Sequence, residues 1–265
     1  MTKPSNITDE LCSCLKDLHL PAMRASWLGD AETARKESFS YEQYLLGLLE
    51  HELEVRSQNR ISRLLRESRL PLEKSLSAFD RKRLSLKLNA NLSALLEGSF
   101  LDRRENIIAF GNPGSGKTHL LCALAQELVY QGHRVLFTKC SLLVQQLLIA
   151  KKELELAKYL KRLSRFEALI IDDIGYVQQN RQEMEVLFTL LADRYERGSV
   201  MLTSNLPFSK WEQIFKDPMT TAAAIDRLVH HSVILELNLP SYRLAASKEK
   251  SHDKITRQRS DQIDK

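Results

Sequence analysis

Residues 111–118 read Gly-Asn-Pro-Gly-Ser-Gly-Lys-Thr, and no other stretch limits the possible folds as sharply. The pattern G-x-x-x-x-G-K-[ST] is a phosphate-binding loop. Its glycines let the backbone curl with N–H groups facing inward, and the helix behind it adds a positive N-terminal end. Such a loop works between a buried strand and a helix. Asn106-Ile-Ile-Ala-Phe110 reads as the strand, and His119 to Leu128 as an apolar-faced helix. Gly111, Asn112, Pro113, Gly114, Ser115 and Gly116 then form the cradle, with His119 at its exit. Lys117 is placed to reach the outer phosphates of a nucleotide and the Thr118 hydroxyl to ligate Mg²⁺.

The surrounding pattern predicts an α/β fold. Further strands are expected at 133–138, 168–173, 199–203 and 232–237, with helices between them. Strands this apolar, alternating with helices, imply a parallel sheet covered on both faces. Leu169-Ile-Ile-Asp-Asp173 ends one strand in two acids. After a phosphate loop, Asp172 is expected to hold Mg²⁺ opposite Thr118, and Asp173 to polarise the attacking water. Thr203-Ser-Asn205 ends the next strand on the same rim. Asn205 is the choice there for orienting that water, and a plain strand-end turn is the alternative. Arg227 is the choice for an arginine finger supplied by a neighbouring subunit; by spacing alone, a pair such as Asp226-Arg227 on a helix is more often a surface ion pair.

Charge is unevenly spread. The chain carries 39 Lys/Arg against 34 Asp/Glu. Residues 51–90 hold ten basic and five acidic residues, which equals the whole net charge of +5. Arg56, Arg60 and Arg63 recur at helical spacing, continuing to Arg66 and Arg69. A second basic face is expected from a helical insertion, Ser141 to Arg165, where Lys158, Lys161, Arg162 and Arg165 fall at i, i+3, i+4 and i+7. Each stripe suits a polyanion, with a solvated helix face as the other reading. Neither has the interleaved aromatics of a single-strand stacking platform, which favours duplex DNA.

Four cysteines show no metal-ligand spacing. The N-terminus lacks an apolar signal region, and no run approaches the ~18 apolar residues of a membrane span. A cytoplasmic protein is expected. Its organisation reads as a helical domain at 1–70, a connector at 71–104, an α/β domain at 105–246 and a polar, disordered tail at 247–265. The leucines at 45, 48, 49, 53, 64 and 65 are expected to form one buried stripe.

Several motifs together carry a family resemblance: the loop, Leu169 to Tyr176, Arg194-Tyr-Glu-Arg-Gly-Ser199, Leu202-Thr-Ser-Asn-Leu-Pro-Phe208, Asp226-Arg-Leu-Val-His-His231 and Ser241-Tyr-Arg243. The N-terminal part adds Leu18 to Met23 and Arg63-Leu-Leu-Arg66. Over nearly its whole length the chain resembles the IstB-like ATP-binding proteins, AAA+ ATPases that help an insertion-sequence transposase and are similar to the helicase loader DnaC. The resemblance implies a five-stranded parallel sheet in the order 5-1-4-3-2 and a small all-α N-terminal domain. It also implies ATP and Mg²⁺ as cofactors, homo-oligomers with ATP sites between subunits, assembly on duplex DNA and stimulation of a bacterial transposase. A DnaC-like helicase loader is the alternative. The resemblance makes Asn205 sensor 1, Arg227 the finger and Arg243 a further nucleotide-sensing arginine. Two features depart from the wider AAA+ pattern. Asp173 stands where most carry glutamate, one methylene longer, and the short stretch after Arg243 leaves no room for a helical lid.

Overall fold

The computed structural model describes residues 4–174, 181–207, 210–211, 222, 225–226 and 228–242, with side chains from Ile7 onward. The expectations for Arg227, Arg243, Gly175-Tyr176 and the tail at 247–265 lie outside the described residues. The chain divides into two compact units, residues 1–63 and 64–265.

The first unit holds α1 (Pro4–Asp17), α2 (Pro21–Glu37) and most of α3 (Tyr41–Ser68). Pro21 is the first residue of α2, where a missing N–H costs nothing. Ser40 opens α3 through a reciprocal cap: its Oγ accepts from Gln43 N at 3.2 Å, and its own N–H donates to Gln43 Oε1 at 2.8 Å. Leu15, Met23 and Leu48 make the small core, with Trp27 and Tyr44 packed on it. The expected leucine stripe needs correction. Leu48 and Leu64 are buried, but Leu45, Leu49 and Leu53 are 53, 42 and 66% exposed. Glu52 takes an inward position on α3 instead. Its Oε2 accepts from Ala22 N at 2.8 Å and Met23 N at 3.0 Å, satisfying orphan N–H groups at the start of α2. Burial pushes its pKa up, but the bonds from Met23, Arg56 and Ala22 outweigh this and hold it below the ordinary carboxylate value.

The second unit is built on β1 (Asn106–Gly111), β2 (Val135–Lys139), β3 (Ala168–Ile174), β4 (Ser199–Ser204) and β5 (Ser232–Leu237). All pairings are parallel, in the order β2-β3-β4-β1-β5, the expected order read from the other edge. Alternation splits each strand between two layers. Ile108, Ile171 and Leu202 face one apolar cluster, while Ile107, Ile170 and Met201 face the other. The first layer is covered by α7 (Cys140–Lys152) and α9 (Arg181–Arg194), the second by α6 (Lys117–Tyr130) and α4 (Leu86–Leu96).

Two sequence expectations are revised. Residues 71–104, read as a connector, contribute Leu84, Leu92, Leu95, Phe100 and Leu101 to the second layer, all 7% exposed or less. The stretch belongs to the α/β unit because its leucines recur at helical spacing from Leu84 to Leu95 and find the sheet. The insertion at 141–165 is two helices. After Ala150 the apolar face of α7 runs out into Lys151-Lys152-Glu153. Leu154 turns left-handed at φ 60°, and α8 (Leu156–Leu163) follows. Arg165 therefore lies past the end of α8, with its N–H on Arg162 O at 3.4 Å.

Arg194 ties this insertion to the sheet. It is 3% exposed, and its guanidinium donates to Leu163 O, Phe166 O, Glu167 O and Ser199 O at 3.0–3.1 Å. Burial pulls its pKa down to about 10, against the influence of Asp193. Gly198 leaves room for it, since a Cβ there would stand 2.5 Å from Nη2. Arg194→Met removes four donated bonds near the foot of β3 and β4; Leu163 O and Glu167 O keep the N–H groups of Phe166 and Ser199, while Phe166 O and Ser199 O lose their side-chain donor. We expect roughly 3 kcal/mol of lost stability, read by calorimetry as a fall in Tm of about 6–12 °C.

Candidate nucleotide site

The phosphate loop runs from the end of β1 into α6. Gly111 has φ 149°, and a Cβ on it would overlap the Leu237 carbonyl on β5. Gly114 has φ 80°, and a Cβ there would collide with the Ser241 hydroxyl. Only glycine allows both conformations and both close approaches. Tyr242 N donates to Gly114 O at 2.9 Å, so the segment after β5 braces the loop. Lys117 is 6% exposed, and its ammonium donates to Gly111 O at 2.7 Å and Asn112 O at 2.9 Å. Ser115 Oγ is buried and makes no hydrogen bond. Asn112 and Pro113 are exposed at the loop's tip.

Opposite the loop, β3 delivers the acids. Thr118 Oγ1 donates to Asp172 Oδ1 at 2.7 Å, which closes the pair predicted from sequence. With its proton on Asp172, the Thr118 oxygen keeps lone pairs for a cation. A hydroxyl and a carboxylate in this arrangement, behind a glycine-rich loop, are the hard oxygen donors that Mg²⁺ takes beside phosphates. The site thus fits Mg²⁺ and a nucleotide. Asp173 follows in a different conformation. The β3–β4 register slips between Ile171 and Ile174, and Asp173 adopts φ 60°. This bulge buries Asp172, 4% exposed, and turns Asp173 outward to the rim. Thr203 holds the bulge: its Oγ1 donates to Asp172 Oδ1 at 2.7 Å and accepts from Asp173 N at 2.8 Å. Asn205 comes one residue after Ser204, the residue in register with Ile174, and is half-buried at that rim.

His119, at the exit of the loop, meets the stretch that precedes the sheet. Its ring nitrogen Nε2 bonds Ser75 O at 2.9 Å, and its ring meets Phe79 edge-on at 5.2 Å. Phe79 also lies against Gly116, so residues 75–79 cover the exit of the loop. Arg83 reaches Pro240 O and stands over the Tyr242 ring at 5.5 Å. No pattern in the sequence marked these covering residues, because each acts through shape rather than a motif.

The basic residues fall in both units. Arg56 is tied to Glu52 at 2.9 Å and to His19 O, while Arg60 and Arg63 are exposed on α3. In the second unit a cleft of about 390 Å³ is lined by Arg66, Arg69, Arg134, Arg162 and Arg165. It shares Arg162, Arg165 and Tyr159 with a cleft of about 610 Å³ that adds Lys158 and Lys161. Lys158 is bridged to Glu155 at 2.8 Å, and Arg162 stacks on Tyr159 at 4.6 Å. Arg134, bridged to Glu67 at 2.8 Å, was missed because it stands alone at the start of β2. Among the described residues, no helix is long and apolar enough to cross a membrane.

A five-stranded parallel sheet, a phosphate loop clasping its own lysine, and a Thr118–Asp172 pair across the rim define an AAA+ nucleotide-binding protein. Solved structures similar to it have this fold. The DnaC helicase loader aligns at TM-score 0.53 with 16% identity, over 63% of this chain and 97% of that one. DnaI gives 0.52 with 20% identity, over 64% and 96%. DnaA of Aquifex aeolicus gives 0.54 with 20% identity, over 70% and 57%. Residues 13–251 match the family model of the IstB-like ATP binding proteins, and the chain belongs to that family. An insertion-sequence ATP-binding protein of Sinorhizobium fredii is 42% identical over 252 residues, 94% of this chain and 85% of its own. The ATP-binding protein of the insertion sequence IS21 from Pseudomonas aeruginosa is 40% identical over 237 residues, 88% and 87%.

Proposed function

We propose that the chain is an Mg²⁺-dependent ATPase of the bacterial cytoplasm that assembles on duplex DNA and recruits and stimulates a partner transposase. The observation that carries the ATPase reading is the split of two adjacent acids. Asp172 is buried on Thr118, where it can hold a cation, and Asp173 is turned out at the rim, where it can take a proton from water. Lys117 and the loop amides bind and orient the phosphates. Mg²⁺, when bound, neutralises charge on them. Asn205 orients the water beside Asp173. The resemblance assigns Arg227 as the finger reaching a neighbour's site and Arg243 as a nucleotide sensor. On this reading the site is complete only in a homo-oligomer.

The arginine-lined cleft supports the DNA reading. It offers cations at several points along one concavity, which suits a phosphate backbone and reads no base. Insertion-sequence relatives at about 40% identity over most of the chain favour transposition over helicase loading. Electrophoretic binding to long duplex DNA, with and without ATP, tests the assignment. Binding is expected to need ATP and to weaken steeply with salt. The double variant Arg162→Ala/Arg165→Ala is expected to reduce the slope of log K against log salt by about 2. Binding that ignores both ATP and salt would sink the proposal. A pull-down against transposase and replicative helicase decides the partner.

A further inference from the structure

We propose that Thr203 is a positioning residue for both acids of the site, a role that rests on the ATPase reading above. Thr203 is fully buried in β4, level with Ala109 of β1. A valine would have its shape and suit a buried strand at least as well. Its hydroxyl is nevertheless fully used. The proton goes to Asp172 Oδ1 at 2.7 Å, and a lone pair takes Asp173 N–H at 2.8 Å. One oxygen therefore touches the residue that faces the cation and the residue that faces the water.

These two bonds do different things. With Thr118, Thr203 delivers a second hydroxyl to the same Oδ1 of Asp172, fixing the carboxylate's rotation from two sides. The bond to Asp173 N secures the bulge at the point where β3 leaves register with β4. Asp173 reaches the rim only because its backbone is left-handed there, and the Thr203 oxygen is the acceptor its N–H meets. Ser204 supports the far side, its hydroxyl reaching Ile174 O at 3.2 Å. Thr203 touches neither phosphate nor water; it acts through the acids.

The test compares Thr203→Val and Thr203→Ser in the full chain. Outer-shell partners of this kind are worth about 10–100-fold in metal affinity or activity. In Thr203→Val, the Mg²⁺ concentration that half-saturates binding of a fluorescent ATP analogue is expected to rise about 10-fold, and turnover to fall about 10–100-fold. KM for ATP at saturating Mg²⁺ should stay within roughly 3-fold, because the phosphate loop is untouched. The Asp173 amide should lose protection in hydrogen exchange. Thr203→Ser keeps the hydroxyl and should restore the three altered readouts, Mg²⁺ half-saturation, turnover and amide protection. Wild-type Mg²⁺ dependence and turnover in Thr203→Val would overturn the proposal. So would Thr203→Ser as impaired as Thr203→Val, since the methyl and not the hydroxyl would then matter. A wild-type protein that binds Mg²⁺ and ATP without turnover would refute the ATPase reading separately. The Mg²⁺ half-saturation would still decide the role of Thr203.

Discussion

Lys117→Ala is expected to lower ATP affinity by at least about 100-fold, the scale of losing charge-assisted bonds to phosphate in a water-poor cradle. The structure shows why the effect is large. The ammonium is almost fully buried and already aimed across the loop, held by Gly111 O and Asn112 O. Those carbonyls keep the lysine extended without neutralising it, so its charge is ready for an anion. Removing it also takes the ammonium donor from Gly111 O and Asn112 O, the latter keeping the Ser115 N–H, and a drop in Tm should accompany the lost affinity. Lys117→Arg should not rescue, because a planar fork cannot replace a point charge with three donors in this space. Fluorescence anisotropy with a labelled ATP analogue measures the effect. A loss of less than about 5-fold would remove Lys117 as the phosphate ligand.

Asp173→Asn is expected to separate binding from chemistry. ATP affinity should stay within roughly 3-fold, because the substitution leaves Lys117 on its loop carbonyls and the Thr118–Asp172 pair in place. Turnover should fall by about 10²–10⁴, the range for loss of a positioned general base. The amide is close to isosteric and tolerates the left-handed backbone as well as aspartate does, so the bulge should persist. Phosphate release under single-turnover conditions gives the number, and unchanged release would strip Asp173 of the role. Mixing Asp173→Asn with Arg227→Ala protein adds a second reading of the same experiment. Where sites are shared between subunits, mixed assemblies regain active pairs that neither variant forms alone; additive residual activity would place each site within one chain.

The parts of this protein legible in sequence are those fixed by local covalent logic. The phosphate loop needs glycine at Gly111 and Gly114 whatever surrounds it, and its flanking strand and helix follow from apolar runs. Strand order came from the family resemblance, and the sheet bears it out. The parts that were not legible depend on contacts distant in sequence. The leucines on α3 repeat at helical spacing, but which of them turns inward was decided by α2's unpaired N–H groups, which called Glu52 into the core. Periodicity reports that a face exists and not how wide its cover is. Likewise residues 71–104 read as a connector carrying a charged helix because Arg81-Lys82-Arg83 stands just before the leucines that begin at Leu84, and the surface those leucines meet is the distant sheet. In Thr203-Ser-Asn205 the sequence points to Asn205 at the strand end, and a threonine inside a strand signals β propensity alone. The polar partners of Thr203 lie 30 and 31 residues away on β3.

The bulge at Asp173 also bears on which amino acids can occupy that position. A left-handed backbone at φ 60° is several-fold easier for aspartate and asparagine than for longer side chains. Most AAA+ enzymes carry glutamate where this chain has Asp173, and the shorter acid looked like a loss of reach. The main chain at this point admits the shorter acid more readily than the longer one. Drift at this position is therefore channelled by steric permission before it is judged by catalysis. A chain that kept the bulge would exchange Asp173 for Asn more readily than for Glu, and on the proposed ATPase reading that exchange would leave a protein that holds a nucleotide without spending it.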